Sequence, residues 1–493
     1  MNPAWTLISA FAGALLVLLL PARMAVHSRV VALVAALIGM VTGAVDCLIR
    51  LRHPEHAVWS LDCEWIPSMG ARFHLEADGL TLVLMLLTGV VAIAGVLFSW
   101  NVNQRQRAFF AWFLMIIGGV YGVFMSRDVF LMFVFYEMVI LPKFMLISIW
   151  GSTNREYGAM KLTMYSIGAS ALILLGLAAA YAGAGGTSFD LMHLASAEYS
   201  TGLQAWAFPV LFLGFTILGG IWPFHTWAPT GHVAAPTAGS MLLAGVVMKL
   251  GAFGALMVAM PLFPEGFAMW KGMIAGLAII GVMYGAFTAL QQKDLKFVIG
   301  YSSVSHMGMV VLGLAAGTHW GLRGAALQMV SHGVIAGLLF GIAGRVVYAR
   351  THTRDLDELE GFDLWRTLPG AAIGFTLATA ASMGLPGFSG FVAEISVAIG
   401  LWQSFPWLVP LLVLGIIVTG AFSLRALQKG FFAHRKVAKV DAPDLPPLTW
   451  PEITAISLLL LVSLSIGIYP KPWVTLIDET LRSPLFHSIL SLP

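Results

Sequence analysis

The stretch Trp222-Pro-Phe-His-Thr-Trp-Ala-Pro-Thr-Gly-His-Val-Ala-Ala-Pro-Thr-Ala-Gly239 interrupts an otherwise apolar region with three prolines, two histidines and two glycines. Ten residues later, Lys249 is the lone charge of the apolar segment 242–260. In hydrocarbon an unsatisfied backbone group costs several kcal/mol, so a broken helix is tolerated only beside protein or a water-filled cavity. The alternative is an ordinary loop and a lysine that reaches the membrane interface. The distance of Lys249 from the nearest candidate interface disfavours that alternative.

The composition is that of a polytopic membrane protein. Of 493 residues, 59% are hydrophobic and only 10% are charged, whereas soluble domains carry about 25% charged residues. The net charge of +3 is small and spread over the connections, so nucleic-acid binding is not indicated. The two cysteines, Cys47 and Cys63, lack the spacing of zinc or iron–sulfur sites. We therefore expect no redox cofactor or metal in this chain.

Apolar stretches of about 20 residues predict transmembrane helices. The N-terminal stretch has no A-x-A cleavage site after it, so we interpret it as a retained first span. Residues 50–77 suggest a small extramembrane flap, and residues 434–450 a charged loop. The sequence predicts fourteen spans, at 4–21, 30–49, 78–99, 108–125, 128–149, 160–183, 206–226, 235–261, 268–290, 296–315, 321–349, 370–402, 405–433 and 451–470.

The distribution of basic residues predicts the orientation of these spans. Most Lys and Arg side chains fall in the odd-numbered connections, which by the positive-inside rule lie in the cytoplasm. Both termini are then expected on the outer side of a bacterial inner membrane. The largest basic clusters are Arg345/Arg350/Arg354/Arg366 and Arg425/Lys429/Arg435/Lys436/Lys439.

The spans also predict two inverted five-helix repeats, each with a broken helix. The first set ends in the stretch at 222–239 and Lys249. The second contains Met383-Gly-Leu-Pro-Gly-Phe-Ser-Gly390, followed by the buried charge Glu394. Five is an odd number, so the sets run in opposite directions, a pattern that points to the ion path of a transporter. The alternative is two unrelated kinks. The predicted regions are 1–107 with spans 1–3 and the flap, repeats at 108–261 and 268–433, and a C-terminal part at 434–493.

Isolated polar side chains within the spans are the candidate site residues. Glu137, Lys249 and Glu394 are intramembrane charges, which usually mark ion or proton paths. Neutral imidazole accepts a proton on one nitrogen and releases one from the other, so histidines suit a proton relay between these charges. A single histidine of this kind is more often a hydrogen-bonded interior residue than a relay, so the prediction rests on the whole series. The histidines in this series are His225, His232, His306 and His332.

The prolines and glycines of both interruptions free backbone carbonyl groups, which then need water or side-chain partners. We therefore expect a hydrated cavity beside each interruption. His225 or His232 is expected to line the first cavity, and Glu394 the second.

The motifs around these residues resemble those of the antiporter-like subunits of proton-pumping NADH-quinone oxidoreductase, respiratory complex I. The match is strongest to the subunit M (mitochondrial chain-4) branch of that family and runs from about residue 75 to 435. The motifs that carry the resemblance are Trp222-Pro-Phe-His-Thr-Trp, Ala235-Pro-Thr-Ala-Gly-Ser, Asp294-Leu-Lys with Tyr301-Ser-Ser-Val-Ser-His-Met-Gly, and His352-Thr-Arg-Asp.

The resemblance implies a proton-translocating subunit without redox groups, coupled to NADH:quinone electron transfer elsewhere in the complex. NADH, FMN, iron–sulfur clusters and quinone would then belong to partner subunits. The implied partners are the L-, N- and K-type membrane-arm subunits and the lipid bilayer, with no nucleic acid. The family's proton-path positions match Glu137, Lys249, His332 and Glu394. The acidic residue at 394 is typical of subunit M.

One family position departs from this pattern. The lysine that the family carries seven residues before the histidine of Pro-Phe-His is Leu218, and the usual aspartate of the following motif is Thr230. Lys143 is not an obvious substitute, because six residues along a straight helix are about 9 Å and roughly 240° away from Glu137. Burial without a nearby cation favours an uncharged carboxyl group, so we expect Glu137 to be a hydrogen-bonded neutral acid.

Three functions therefore compete. The first is the proton-translocating subunit of a quinone-reducing complex. The second is a subunit of a cation/proton antiporter or a membrane-bound hydrogenase, which share the fold and most of these motifs. The third is a duplicated structural copy that does not pump. Glu394 favours the first function over the second, and Leu218 gives the third function some weight without making it the preferred one.

Overall fold

The computed structural model describes residues 2–54, 58–432 and 445–491. Within these ranges, twelve helices are long and apolar enough to cross a membrane. The predicted all-α, multi-pass membrane protein is therefore confirmed. The predicted loop at 434–450 lies mostly outside the described residues.

The first half of the chain contains eleven helices among the described residues, some of them too short to cross a membrane. Helix α11 includes two π-helical segments, Leu243–Val247 and Ala255–Ala259. The helices are α1 (Ala4–Leu19), α2 (Ser28–Arg52), α3 (Gly79–Phe98), α4 (Gln106–Met125), α5 (Val129–Met138), α6 (Ile140–Trp150), α7 (Arg155–Gly183), α8 (Leu191–Ala195), α9 (Thr201–Gly219), α10 (Trp227–Ala234) and α11 (Thr237–Leu262).

The second half continues the bundle. Helix α14 contains the π-helical segment Ile342–Tyr348 just before its last turn, and α19 is followed by another such segment, Gln428–Phe432. The helices are α12 (Pro264–Gln291), α13 (Leu295–Ala316), α14 (His319–Thr351), α15 (Leu356–Leu359), α16 (Leu364–Thr367), α17 (Pro369–Ser382), α18 (Ser389–Ser404), α19 (Val409–Leu427), α20 (Trp450–Ile468), α21 (Lys471–Leu481) and α22 (His487–Leu490).

Aspartate side chains begin several of the long helices. The carboxylate of Asp78 accepts a hydrogen bond from the Thr81 amide at the start of α3. Asp128 caps α5, and Asp294 caps α13, in the same way. Such caps satisfy amide groups that have no partner within the helix. The first turn of each of these helices is therefore defined by its own sequence.

The first predicted interruption is present and longer than expected. Helix α9 ends at Gly219, and not near residue 226, because Gly220 takes the left-handed conformation with φ of 81°. The freed carbonyl groups have side-chain partners: Trp227 Nε1 donates to the Ile217 carbonyl at 2.8 Å, and Ser240 Oγ donates to the His232 carbonyl at 2.6 Å. Side chains thus replace the lost helical hydrogen bonds.

The second interruption divides the predicted span 370–402 into two helices. Helix α17 has 14 residues and α18 has 16, so neither alone spans the roughly 30 Å of a bilayer core. Gly384 and Gly387 lie between them with φ of +67° and +97°. These are conformations that L-amino acids with side chains rarely adopt.

The number of fourteen spans stays a prediction. Of the described helices, twelve meet the length for crossing a membrane, α1 has 16 residues, and α17 and α18 form the interrupted pair. The inverted relation of 108–261 to 268–433 also stays a prediction. Helices α11 and α14 are buried along their whole apolar length and occupy the centre of the bundle.

The predicted flap is a β-hairpin, the one pair of strands among the described residues. Strands β1 (Trp59–Ile66) and β2 (Ala71–Ala77) pair antiparallel. The hairpin docks through the Arg72 amide, which donates to Asp128 at 2.8 Å, and through His74 Nδ1, which lies 3.0 Å from Asp190. The hydrogen bond to Asp190 raises the pKa of His74 above its ordinary value. The hairpin is thus tied to the ends of two connections far along the chain.

Candidate functional site

Lys249 is completely buried in the middle of α11. Its Nζ atom lies 2.7 Å from Nδ1 of His332 on α14 and also donates to the carbonyl oxygen of Ala244. Ala244 belongs to the π-helical segment Leu243–Val247. Such segments loosen the regular helical hydrogen bonds and occur frequently at functional sites. The irregular backbone therefore supplies an acceptor for the buried lysine.

His332 and His306 stand side by side on α14 and α13. Their ring centroids are 5.6 Å apart. His306 Nδ1 lies 3.1 Å from the Gln328 amide nitrogen, and its Nε2 lies 3.2 Å from Ser382 Oγ at the end of α17. The Nε2 atom of His332 is buried without a hydrogen-bond partner in the described part of the chain. The histidine pair thus connects Lys249 to the second interruption.

A small cavity joins this pair to Glu394 on α18. It has a volume of about 10 Å³, and its lining includes His306, His332 and Glu394. That volume holds about one water molecule. The carboxylate is 6% exposed, so it faces the protein interior. The cavity expected beside the second interruption is present, and Glu394 lines it as predicted; its hydration stays a prediction.

Serine hydroxyl groups extend this site in a direction that the sequence analysis missed. Ser331 Oγ, on the cavity wall, lies 2.8 Å from Ser389 Oγ at the start of α18. Ser389 Oγ in turn lies 2.9 Å from Ser463 Oγ on α20. Ser331 precedes His332 in the sequence and was a candidate to hold water there, but Ser389 and Ser463 were missed, because serine is common in apolar helices. Gln328 and Ser382 were missed for the same reason.

His225 and His232 do not belong to the row of residues formed by Lys249, His332, His306 and Glu394. His232 is completely buried, neither ring nitrogen has a hydrogen-bond partner among the described residues, and its ring packs 5.0 Å from that of Phe340. His225 packs edge-on against Tyr284, with ring centroids 4.9 Å apart. The structure brings together Lys249, His332, His306 and Glu394. It leaves these two histidines in aromatic surroundings.

The first interruption has a larger cavity, of about 250 Å³, and its lining includes neither His225 nor His232, so a cavity at either histidine stays a prediction. Lys296 lines the larger cavity, together with Ala235, Pro236 and Thr237. Its Nζ atom donates to the Ala235 carbonyl at 2.9 Å, a group freed by Pro236. Lys296 is buried, but it was not among the predicted site residues, because it stands at the very start of its helix. Its position in Asp294-Leu-Lys was the available clue.

Glu137 lies on α5, apart from that row. It is partly buried, and its Oε1 atom is buried without a hydrogen-bond partner among the described residues, so the expected hydrogen-bonded acid is not observed. Leu218, which stands where the family carries a lysine, is buried. Lys143, set aside on straight-helix geometry, is 2% exposed, and its Nζ atom lies 3.5 Å from Ser166 Oγ.

Comparison with known proteins agrees with this architecture. Residues 126–420 match the family model for the transmembrane region of NADH:quinone oxidoreductase and Mrp antiporter subunits. An NADH-quinone oxidoreductase subunit M of Escherichia coli is 35% identical over 83% of this chain and 82% of its own. An NAD(P)H-quinone oxidoreductase chain 4 of Picosynechococcus is 38% identical over 87% of this chain and 80% of its own.

The fold is found in solved structures as well. A chain of respiratory complex I from Thermus thermophilus with bound NADH is 27% identical, with a TM-score of 0.88 and full coverage of both chains. A chain of the Mrp complex from Dietzia is 18% identical with a TM-score of 0.83 over 99% of both chains, a likeness of fold alone. The chain belongs to the family of antiporter-like membrane subunits of NADH:quinone oxidoreductase and Mrp antiporters, in its subunit M branch.

Proposed function

We propose that this chain is a proton-translocating membrane subunit of an NADH-quinone oxidoreductase and carries no redox cofactor itself. The observation that carries the proposal is the buried 2.7 Å contact between Lys249 and His332, next to a cavity lined by Glu394. An ionisable group placed in the apolar core of a membrane protein is costly and usually serves transport. Here two such groups are joined by a pair of histidines.

Each group has a defined part in the proposed path. Lys249 donates to His332 Nδ1, and an imidazole that gains a proton at one nitrogen releases one from the other. His332 Nε2 is free of protein partners within the described residues, which suits release toward the cavity. Glu394 is the acceptor on the other side of that cavity. Lys296 and the larger cavity beside Pro236 form the proposed entrance.

The surroundings of the chain belong to the same proposal. We place both termini on the outer side of a bacterial inner membrane and the odd-numbered connections in the cytoplasm, as the basic residues indicate. The entrance at Lys296 then faces the cytoplasm. L-, N- and K-type subunits are the proposed neighbours, and NADH, FMN, iron–sulfur clusters and quinone bind in other subunits.

The test replaces each end of the row in the intact complex. Lys249→Ala and Glu394→Ala are expected to lower NADH-driven proton translocation at least about tenfold, since each removes a positioned proton-transfer group. Lys471→Ala, at an exposed lysine at the start of α21, is the matched control. Translocation is measured in membrane vesicles after the amount of assembled complex has been equalised. Normal translocation in both variants would contradict the proposal, and the chain would then be interpreted as a structural copy that does not pump.

A further inference from the structure

The first half of the proposed path contains a carboxylate whose expected cation is absent. Glu137 has a buried oxygen without a hydrogen-bond partner among the described residues, and Leu218, where a lysine was expected, is buried and uncharged. A buried oxygen of this kind costs free energy unless it is compensated. A cation from another position would supply that compensation.

Lys143 is placed to supply it. It lies on α6, the second part of the span that also carries Glu137, and its side chain is 2% exposed. Its Nζ atom lies 3.5 Å from Ser166 Oγ on α7 and makes no ion-pair contact with a carboxylate within the described residues. A buried ammonium held only by a hydroxyl group is costly, so an opposite charge within electrostatic reach stabilises it.

The span that carries both residues is not a straight helix. It is interrupted between them at Val139, whose amide donates to the Tyr136 carbonyl at 3.4 Å. Straight-helix geometry therefore does not fix the position of Lys143 relative to Glu137. Lys143 is a buried cation, and Glu137 is an acid with a buried, unpartnered oxygen, within one span among the described residues.

Lys161 is the competing cation. It stands on the adjacent helix α7, but its Nζ atom lies 3.3 Å from Thr230 Oγ1, next to the first interruption, and 5.6 Å from the centre of the Tyr157 ring. Lys161 is therefore engaged at the interruption. Lys143 is the buried lysine of the span that carries Glu137.

We propose that Lys143 is the functional partner of Glu137 in this chain, and that it replaces, from within the same span, the cation lost at Leu218. The inference rests on the proposed function. In this chain the glutamate and the lysine of the first repeat would then lie in the same span, and not in two different spans. It also removes the reason for regarding this chain as a copy that does not pump.

Three variants of the intact complex test the pairing: Lys143→Leu, Glu137→Gln and the double variant. We expect each single variant to lower the number of protons translocated per electron pair, with the translocation rate falling at least about fivefold. The double variant should be no worse than either single one, because the partner left alone has lost its function. Additive losses would overturn the pairing.

A relocation variant separates pairing from simple packing. Lys143→Leu combined with Leu218→Lys is expected to recover most translocation, because a lysine on α9 again faces Glu137. Lys143→Arg, which keeps the charge, should retain more translocation than Lys143→Leu at equal assembly. If the relocation variant stays as low as Lys143→Leu, or Lys143→Leu translocates normally, the inference is wrong.

Lys249→Ala, measured in the same experiment, shows whether a negative result contradicts only the pairing of Lys143 with Glu137 or also the proposed function. A loss in Lys249→Ala with no loss in Lys143→Leu overturns the pairing alone. No loss in either variant overturns the proposed function as well.

Discussion

Lys249 Nζ lies 2.7 Å from Nδ1 of His332, and both groups are buried. When Lys249 is charged, its ammonium group has only protons to donate, so Nδ1 accepts and the proton of the neutral ring resides on Nε2. That second nitrogen has no partner among the described residues, and its ring lines the cavity shared with Glu394. The contact therefore orients the imidazole for transfer from Lys249 toward Glu394.

The first prediction concerns His332. His332→Gln keeps a polar side chain of similar size but is unable to exchange a proton between two nitrogens, so proton translocation should fall at least about tenfold. The measurement is the translocation rate of assembled complex in vesicles. His193→Gln is the control, because that ring is outside the row and contacts Thr187. Unchanged translocation in His332→Gln would remove this histidine from the path.

The second prediction concerns the close approach of Gly384 to Glu394. A Cβ atom at Gly384 would come within 2.3 Å of Glu394 Oε2, so Gly384→Ala must displace the carboxylate. Gly387→Ala meets nothing within 4 Å, although both glycines have positive φ. Each variant should therefore carry about 1–2 kcal/mol of backbone strain. Gly384→Ala alone should also lower translocation, measured against electron transfer. If the two variants translocate protons equally well, the position of the Glu394 carboxylate beside Gly384 does not matter for translocation.

The third prediction concerns Lys296. Lys296→Met removes the 2.9 Å donor to the Ala235 carbonyl and leaves that group only the longer 3.4 Å hydrogen bond from Ser240 Oγ, so we expect a loss of about 1 kcal/mol. The complex should lose activity at a lower temperature, as measured by heating membranes before the assay. Lys293→Met is the matched control, because its side chain is 71% exposed and pairs with Asp357 at the surface. An identical heat profile for the two variants would argue against this role.

The fourth prediction is a pH dependence of the β-hairpin. The hydrogen bond to Asp190 raises the pKa of His74 above 6.5. Burial opposes ionisation of Asp190, but hydrogen bonds from His74 and from backbone amides outweigh it and lower its pKa below 3.8. The stabilisation from His74 is complete below its ordinary pKa and is lost as pH rises through the raised value. The stabilisation from Asp190 is lost only as pH falls through its lowered value.

The hairpin should therefore dock most firmly in mildly acidic solution and loosen above neutral pH. Hydrogen exchange of residues 59–77, corrected for the intrinsic pH dependence of exchange, measures this. His74→Gln should abolish the pH-dependent part. His193→Gln should leave it intact, because the His193 ring contacts the Thr187 hydroxyl group and the backbone amide of this residue still donates to Asp190. Protection independent of pH in the unmodified chain would contradict the prediction.

The sequence by itself determined the class of protein, both interruptions and the buried charges. Apolar length predicts helices that cross a membrane because the bilayer thickness is constant. Pro236 and Gly384 act on their own backbone, so helix breaks are local properties of the chain. A charged side chain at membrane depth is unusual whatever its neighbours are, so Lys249 and Glu394 were identified from the sequence alone.

Only the tertiary structure decided which polar groups meet. Four histidines were equivalent candidates in the sequence, yet His332 and His306 face Lys249 and Glu394 while His225 and His232 face aromatic rings. Helical periodicity assigns side chains to one face of their own helix, but the neighbour of that face depends on contacts between residues far apart in the chain. Lys143 shows the same limit, because its burial depends on the packing of α7, where Ser166 contacts it, and the sequence of its own span does not predict that packing.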